Sequence, residues 1–150
     1  MKSDFTEYLT AESVVVLNGK TKKDVLDEII SIATTKSSID NDQLTEAVWK
    51  REKMMTTGIG QGLALPHVRM SGFGEPVVIV GVCKTPIKDY KSLDNEPIQL
   101  LVFLAASDTD QDTYLKLLGS ISFKLKNKDM VKRLIEQSNN PKEVYNLLKR

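Results

Sequence analysis

The sequence predicts an α/β fold, in which a β-sheet carries helices on both faces, in a single domain spanning residues 1–150. Two nearly uninterrupted apolar runs, residues 77–83 (VVIVGVC) and 98–105 (IQLLVFLA), are typical of strands covered on both faces. Segments with the apolar spacing of helices lie before and after these runs. A length of 150 residues with 41% hydrophobic content suits one domain with one substantial core.

The first strand and the first helix are predicted from the N-terminal part of the chain. A short β-branched run, residues 13–17 (SVVVL), indicates a strand. Residues 21–24 (TKKD) match a capping box, in which a hydroxyl and a carboxylate three residues apart satisfy free amides at a helix start. Helical spacing then continues through Val25, Ile29, Ile32 and Ala33.

A second helix is predicted to begin at residues 40–43 (DNDQ). Its expected apolar face consists of Leu44, Ala47, Val48 and Met55. Arg51 stands near the expected C-terminal end of this helix, because the glycine-rich segment that follows disfavours further helix. Arg51 would therefore face the start of the glycine segment.

The glycine segment, residues 58–62 (GIGQG), is predicted to be a loop. Three alternating glycines relieve steric restriction and let backbone amides approach another group closely. Residues 63–65 (LAL) indicate a brief strand that Pro66 ends, because proline has no amide to donate to a ladder. We expect His67 to emerge at the edge of this strand.

The C-terminal half is predicted to contain a connection followed by three helices. Residues 85–97, between the two apolar runs, indicate a loop or hairpin connection. Residues 129–137 indicate a helix, and residues 140–143 (NPKE) open a last one with a cap residue, a first-turn proline and an acidic third position. The first of the three helices follows Ser107 and carries Tyr114, Leu117, Leu118, Ile121 and Leu125 at helical spacing.

Composition and charge exclude several classes of protein. The 21 Lys and Arg nearly cancel the 20 Asp and Glu, so nothing in the net charge of +1 attracts a nucleic acid or an anionic membrane. The lone cysteine, Cys83, lies in an apolar run and is expected to be buried as a small hydrophobe. An unpaired thiol, no leader at Met1 and no bilayer-length apolar stretch predict a cytoplasmic protein without membrane insertion.

The only histidine, His67, ends the most distinctive motif of the chain, residues 57–67 (TGIGQGLALPH). Its imidazole is the one side chain here whose unperturbed pKa lies near neutral pH. One histidine and one cysteine cannot assemble a multi-histidine or soft-ligand zinc site, so no metal is expected. The chain has no G-x-S-x-G elbow, and its glycines match neither the G-x-G-x-x-G nor the P-loop pattern. Nucleotide binding is therefore unsupported, and hydrolysis with His67 as a base is a weak alternative, since catalytic triads are defined by geometry and not by sequence order.

A phosphoryl carrier is the chemistry that remains for a lone histidine. Neutral imidazole is a good nucleophile, and its bond to phosphorus stays reactive enough to pass the group onward. Arg51 offers a bidentate donor, and the amides of a phosphoryl-binding loop containing Thr57, Gly58, Gly60 and Gly62 offer further donors. In the alternative interpretation, His67 is a structural residue and the glycines only turn the chain. The residues alone leave both interpretations open.

The motif residues also carry a family resemblance. Residues 51–52 (RE), 57–60 (TGIG), Gly62, Ala64 and 66–67 (PH) resemble the signature of bacterial enzyme IIA domains of the fructose and mannitol type. These domains belong to the phosphoenolpyruvate-dependent sugar phosphotransferase system, and their class includes the nitrogen-regulatory IIA proteins. The resemblance extends over almost the whole chain, through residues 93–98 (LDNEPI), 101–105 (LVFLA) and the helix near 114–115 (YL).

The resemblance implies a fold, a reaction and partners. The fold would be a mixed sheet flanked by helices. His67 would accept a phosphoryl group on its epsilon nitrogen from a histidine-containing, HPr-like phosphocarrier protein and pass it to an enzyme IIB partner. Arg51 would assist at the phosphoryl oxygens, and no metal or organic cofactor is implied. In the regulatory alternative, the phosphorylation state would instead control binding to a target protein.

One position departs from the family pattern. Family members commonly have a second histidine beside the active one, where this chain has Tyr114. A tyrosine hydroxyl can donate a hydrogen bond to a phosphoryl oxygen but cannot become cationic. Weaker stabilisation of phosphohistidine, and slower or absent transfer, would follow. Alternatively, the Tyr114 ring simply packs in a helix interface.

Overall fold

In the computed structural model, which describes residues 4–150, a six-stranded sheet lies between two layers of helices. Two short 3₁₀ turns, Phe5–Tyr8 and Ala11–Ser13, precede the sheet. The strands and helices follow in the order β1 (Val14–Leu17), α1 (Lys22–Thr35), α2 (Asn41–Met54), β2 (Gly58–Gly60), β3 (Leu63–Ala64), β4 (His67–Arg69), β5 (Val77–Ile87), β6 (Ile98–Ala106), α3 (Gln111–Leu125), α4 (Lys128–Glu136) and α5 (Pro141–Lys149).

The sheet is mixed, which confirms the expectation. Its strand order is β1-β5-β6-β3-β2, and β4 also pairs with β6. Strands β5 and β6 form a long antiparallel hairpin at the centre, while β1 runs parallel to β5. Strands β3 and β4 both run parallel to β6, and β2 runs antiparallel to β3. The parallel partners of β6 bring His67 beside Leu104.

Helices cover both faces of the sheet, as predicted. Alternate residues of β6 project to opposite sides, because side chains in a strand alternate between faces. Leu100, Val102 and Leu104 join the core beneath α3, α4 and α5. Leu101, Phe103 and Ala105 join the core beneath α1 and α2. Within residues 4–150, no helix combines the length and the apolar character needed to cross a bilayer.

The predicted helix starts are confirmed in position, and one detail of the first is wrong. The Thr21 hydroxyl accepts a hydrogen bond of 3.1 Å from the Asp24 amide. The reciprocal half of the predicted capping box does not form, because the Asp24 carboxylate accepts from the Lys20 amide instead, at 3.4 Å. The Asp40 carboxylate caps α2 through a 3.1 Å bond from the Gln43 amide.

Met55 was wrongly predicted on the buried face of α2. The helix ends at Met54, and Met55 takes an extended conformation with 66% of its surface exposed. A helical face persists only while the backbone stays helical, and here the chain leaves the helix to enter β2. Cys83, in contrast, is a buried free cysteine, as predicted.

Several strand boundaries differ from the prediction, most of all at three places. Gly58–Gly60 forms β2 instead of a loop, since the glycine backbone pairs antiparallel with β3. Strand β5 continues to Ile87 through an irregularity after Val82, so residues 85–87 of the predicted connection belong to the hairpin. Strand β3 ends at Ala64, before Pro66, but pairing along β6 resumes with β4, because proline lacks only the donor and the Pro66 carbonyl accepts a 3.1 Å bond from the Leu104 amide.

Candidate functional site

His67 is the first residue of β4, and a backbone carbonyl determines its tautomer. Its Nδ1 lies 2.7 Å from the carbonyl oxygen of Leu65. A carbonyl can only accept, so Nδ1 carries the proton and Nε2 of the neutral ring keeps its lone pair. Burial lowers the pKa of His67 from its usual 6.5, as does the charge of Arg51, while the bond to Leu65 opposes both. The ring is therefore a neutral nucleophile at neutral pH.

A cleft of about 420 Å³ surrounds the imidazole. Helix α2 contributes one face to it, since residues spaced by three and four positions share a side of a helix. Strand β4 contributes His67 and Arg69, two residues apart and hence on one side of the strand. The lining residues are Ala47, Lys50, Arg51, Met54, His67, Val68, Arg69 and Tyr114. Three predicted site residues, His67, Arg51 and Tyr114, therefore meet in one place.

The cleft is rich in positive charge. Arg51 donates from Nη1 to the carbonyl oxygen of Met55 at 2.9 Å, which holds its guanidinium at the end of α2. The Arg69 guanidinium carbon lies 5.2 Å from the centre of the Tyr114 ring, in a cation–π contact. In the part of the chain that the structure describes, neither arginine forms an ion pair with a carboxylate. Both charges thus remain available to an anion.

Sequence analysis missed Arg69. The sequence does contain a signal for it, since a residue two positions after His67 on a strand must share the face of the imidazole. The prediction that Pro66 ended the strand concealed this signal, because residues 67–69 were not expected to form a strand.

Tyr114 lies in the first turn of α3, with only 7% of its surface exposed. Its ring centre is 6.3 Å from that of His67, and the two planes are tilted by 43°. Burial raises the pKa of Tyr114 to about 12, although Arg69 and Arg51 act in the opposite direction. The hydroxyl is therefore a protonated donor at neutral pH. Tyr114 is also part of the core beneath α3, so it packs and borders the cleft at once.

The four predicted loop residues do not line the cleft. A Cβ at Gly58 would lie 2.2 Å from the carbonyl oxygen of Lys91, so this glycine permits a close backbone approach. Gly60 has φ of 117° and enters a tight turn, where the Gln61 amide donates to the Asp94 carboxylate at 2.7 Å. The Gly62 carbonyl accepts from β6. A phosphoryl-binding role for these residues stays a prediction.

Thr57 belongs to a buried polar network centred on Glu52. The Thr57 hydroxyl donates to the Glu52 carboxylate and lies 2.6 Å from the Tyr90 hydroxyl. Lys22 forms an ion pair with Glu52 at 2.9 Å, and its Nζ lies 4.5 Å from the centre of the Tyr90 ring. Glu52 itself is 6% exposed. The network joins α1, α2 and the start of the glycine segment, and sequence analysis did not identify it.

These contacts define what the cleft can do. A neutral imidazole with a free Nε2 lies beside two arginines that have no carboxylate partners within residues 4–150. Guanidinium groups match the geometry of phosphate oxygens and can donate to two of them at once. The arrangement therefore suits the capture of a small dianion next to a nucleophilic nitrogen. No group of three or more potential metal ligands occurs within residues 4–150.

Comparisons with known proteins identify relatives of this chain. The family model "Phosphoenolpyruvate-dependent sugar phosphotransferase system, EIIA 2" matches residues 7–150. The fructose-specific EIIABC component of the phosphotransferase system of Bacillus subtilis is 32% identical over 133 residues, covering 87% of this chain and 21% of that protein. The chain thus spans about a fifth of that relative's length.

Two nitrogen-regulatory proteins are also similar. The nitrogen regulatory protein of Pseudomonas aeruginosa is 34% identical over 123 residues, covering 81% of this chain and 79% of that protein. The crystal structure of nitrogen regulatory protein IIA-Ntr from Neisseria meningitidis superimposes with a TM-score of 0.83 and 24% identity, covering 96% of this chain and 98% of that one. The similarity to the Neisseria meningitidis structure shows a shared fold.

Proposed function

Because the chain belongs to the EIIA 2 family of the phosphoenolpyruvate-dependent sugar phosphotransferase system, we propose that it transfers phosphoryl groups through His67. An HPr-like phosphocarrier protein would supply the group, and an enzyme IIB partner of the fructose or mannitol type would receive it. The observation that carries the proposal is the hydrogen bond between Nδ1 of His67 and the carbonyl oxygen of Leu65. This bond leaves Nε2 as the nucleophilic nitrogen in a cleft that has two arginines.

The transfer exchanges one nitrogen–phosphorus bond for another. As Nε2 of His67 attacks, the bond between phosphorus and the donor histidine breaks, and its electron pair stays on the donor nitrogen. Arg51 neutralises charge on the phosphoryl oxygens, and the protonated Tyr114 hydroxyl can donate a hydrogen bond to one of them. The same steps in reverse pass the group to the next partner. Positioning and charge neutralisation supply most of the catalysis in such reactions.

The enzyme IIB partner is inferred from the relatives. The Bacillus subtilis relative is named an EIIABC component, so the region similar to this chain occurs there together with B and C components. We propose a cytoplasmic location for the transfer, which also suits the unpaired thiol of Cys83. The proposed reaction needs no metal or organic cofactor, because the imidazole itself is the carrier.

A regulatory role is a second candidate, favoured by a specific observation. The nitrogen regulatory protein of Pseudomonas aeruginosa is 34% identical to this chain over 123 residues, about as similar as the fructose-specific relative at 32% over 133 residues. In this role, phosphorylation of His67 would add a doubly negative group to the surface and so create or break an interface with a target protein.

A labelling experiment tests phosphoryl transfer. The chain is mixed with phosphoenolpyruvate, enzyme I and a phosphocarrier protein, and a related enzyme IIA serves as the positive control. We expect one acid-labile phosphoryl group per chain, located on Nε2 by nitrogen-15 NMR, and none in His67→Ala. If the control is labelled and the wild-type chain is not, the proposal is wrong.

A second experiment separates the two candidate roles. Wild type, His67→Ala and the charged mimic His67→Asp are used as baits in parallel pull-downs. A sugar carrier should retain an enzyme IIB protein, whereas a regulator should retain a kinase, transporter or other enzyme in a manner that depends on the charge at position 67.

A further inference from the structure

Arg69 is a charged residue that has no role in the transfer proposed above, which uses His67 and Arg51. It lies on the same strand and the same side as the imidazole, two residues away, and lines the same cleft. Its side chain is exposed and forms no ion pair with a carboxylate in the described chain, residues 4–150. The charge of Arg69 is therefore available to an anion that enters the cleft.

The Tyr114 ring gives Arg69 a defined place. The guanidinium carbon lies 5.2 Å from the ring centre, and the ring centre lies 6.3 Å from that of His67. Tyr114 itself is held by the core beneath α3 and is 7% exposed. A flexible arginine stacked on a rigid aromatic face loses less freedom when it binds a ligand, because the stack already orders it.

The charge balance around His67 leaves room for a second cation. The nearby negative charge of Glu52 is matched by Lys22 at 2.9 Å. One donor of Arg51 is already used, because Nη1 bonds the Met55 carbonyl. A phosphoryl dianion presents three oxygens and two negative charges, whereas one guanidinium carries a single positive charge and donates to two oxygens at once.

We propose that Arg69 is a second phosphoryl-binding residue of the His67 site, and that the Tyr114 ring is a positioning residue that holds its guanidinium. Arg69 forms no covalent bond in this role and donates hydrogen bonds to oxygens of the phosphoryl group during its transfer to Nε2. The inference rests on the proposed function and names the residues that would recognise the moving group. Tyr114 cannot carry a positive charge itself. It would act by holding the positively charged guanidinium of Arg69 beside the phosphoryl group.

Phosphoramidate is a suitable probe, because it donates a phosphoryl group to imidazoles without a partner protein. Its nitrogen–phosphorus bond breaks as the bond to Nε2 forms, and the amine leaves as ammonia with the electron pair. Rates measured at several phosphoramidate concentrations separate weaker binding of the donor from a slower chemical step. Effects on docking of a phosphocarrier protein are absent from this assay.

We expect Arg69→Gln to slow phosphorylation by about ten- to a hundredfold, the loss typical of one charge-assisted hydrogen bond. Arg69→Lys should recover part of the rate, because lysine keeps the charge but not the planar fork. Arg133→Gln is the matched control, since Arg133 is an exposed arginine on α4 that is not among the residues lining the cleft. It makes the same change in net charge and should leave the rate unaltered.

A double-mutant cycle tests the positioning role of the ring. Tyr114→Phe removes the hydroxyl and keeps the ring, whereas Tyr114→Leu removes both, so their difference measures the ring alone. We expect Tyr114→Leu to be about fivefold slower than Tyr114→Phe in the wild-type background, as for a coupled pair in contact. The difference should vanish in the Arg69→Gln background. Thermal unfolding of every variant identifies any that fail to fold. If Tyr114→Leu is one of them, Tyr114→Met, which also lacks a ring and fills more of the buried volume, takes its place in the cycle.

The outcomes distinguish this inference from the proposed function. If wild type accepts no phosphoryl group from either phosphoramidate or a phosphocarrier, the proposed function fails. If wild type is phosphorylated and Arg69→Gln reacts within twofold of it, the role of Arg69 is overturned while the function stands. A ring effect of the same size in both backgrounds would overturn the positioning role of Tyr114.

Discussion

Two neighbouring residues of α2, Arg51 and Glu52, belong to opposite environments. Arg51 borders an open cleft in which the positive charges lack carboxylate partners within residues 4–150. Glu52 is buried in a network that pairs its charge with Lys22 and its oxygens with Thr57 and Tyr90. Successive residues of a helix point about 100° apart, so one dipeptide can serve both environments. The Arg51-Glu52 dipeptide is continuous in sequence, but Arg51 belongs to the cleft and Glu52 belongs to the buried network that supports the fold.

The difference in charge balance explains the difference in role. A buried charge is tolerated only when it is paired and hydrogen-bonded, as Glu52 is. Unpaired guanidinium groups at an accessible cleft, in contrast, attract an anion and are not stabilising by themselves. We therefore expect substitutions in the network to change stability and substitutions in the cleft to change transfer.

The largest effect is expected from Glu52→Ala. The substitution leaves Lys22 without its partner and removes the acceptor of the Thr57 hydroxyl, so the free energy of unfolding should fall by about 3 kcal/mol. Urea denaturation measures the loss. Glu46→Ala, at an exposed position of the same helix, is the control and should change stability by less than about 0.5 kcal/mol. Equal losses in the two variants would contradict the structural role of Glu52.

The next largest effect is expected from Arg51→Gln, on rate instead of stability. Loss of charge-assisted donors to the phosphoryl oxygens should slow labelling of His67 by about 1.5–3 kcal/mol in activation free energy. The free energy of unfolding should change by less than about 1 kcal/mol, because only a bond at a helix end is lost. Quenched-flow labelling and urea denaturation of the same preparation provide both numbers. A variant that is destabilised but transfers normally would reverse the assignment.

Thr57→Val tests whether Thr57 belongs to the buried network of Glu52 or to the phosphoryl-binding site. Valine keeps the shape and removes the hydroxyl that Glu52 accepts, so stability should fall by about 1–3 kcal/mol while labelling stays within twofold. Thr57→Ser retains a hydroxyl and should retain more of the stability. Unchanged stability with much slower labelling would instead support the predicted phosphoryl-binding loop.

The smallest expected effect is the dependence of His67 protonation and of folding stability on pH. Burial lowers the pKa of His67 below its usual 6.5, so the nucleophilic neutral form persists as pH falls through 6.5 and is lost only at lower pH. In the same window the unfolded chain binds more protons than the folded one, so folding stability decreases as pH falls below 6.5. NMR titration of the ring in wild type gives the midpoint directly. Arg51→Gln should raise the midpoint, and a wild-type midpoint at or above 6.5 would contradict the expectation.

Much of the fold could be predicted because its signals are local. Apolar runs, helical spacing and cap residues predicted the two central strands and the starts of the helices, and the structure confirms them. The capping acceptors Thr21, Asp40 and Asn140 each act within three residues of their own position. Met55 and residues 58–60 were predicted wrongly, because the end of a helix and the pairing of a glycine strand depend on partners distant in sequence.

The amino-acid sequence by itself determined the layered architecture and the single residue, His67, on which the proposed chemistry depends. Only the tertiary structure decided which charges meet that residue. Pairing with β6 makes residues 67–69 a strand, which puts Arg69 on the side of the imidazole, and docking of α3 brings Tyr114 beneath the Arg69 guanidinium. The physical reason is that periodicity and capping act between neighbours in the chain, whereas a cleft is assembled from side chains that only sheet pairing and helix packing bring together.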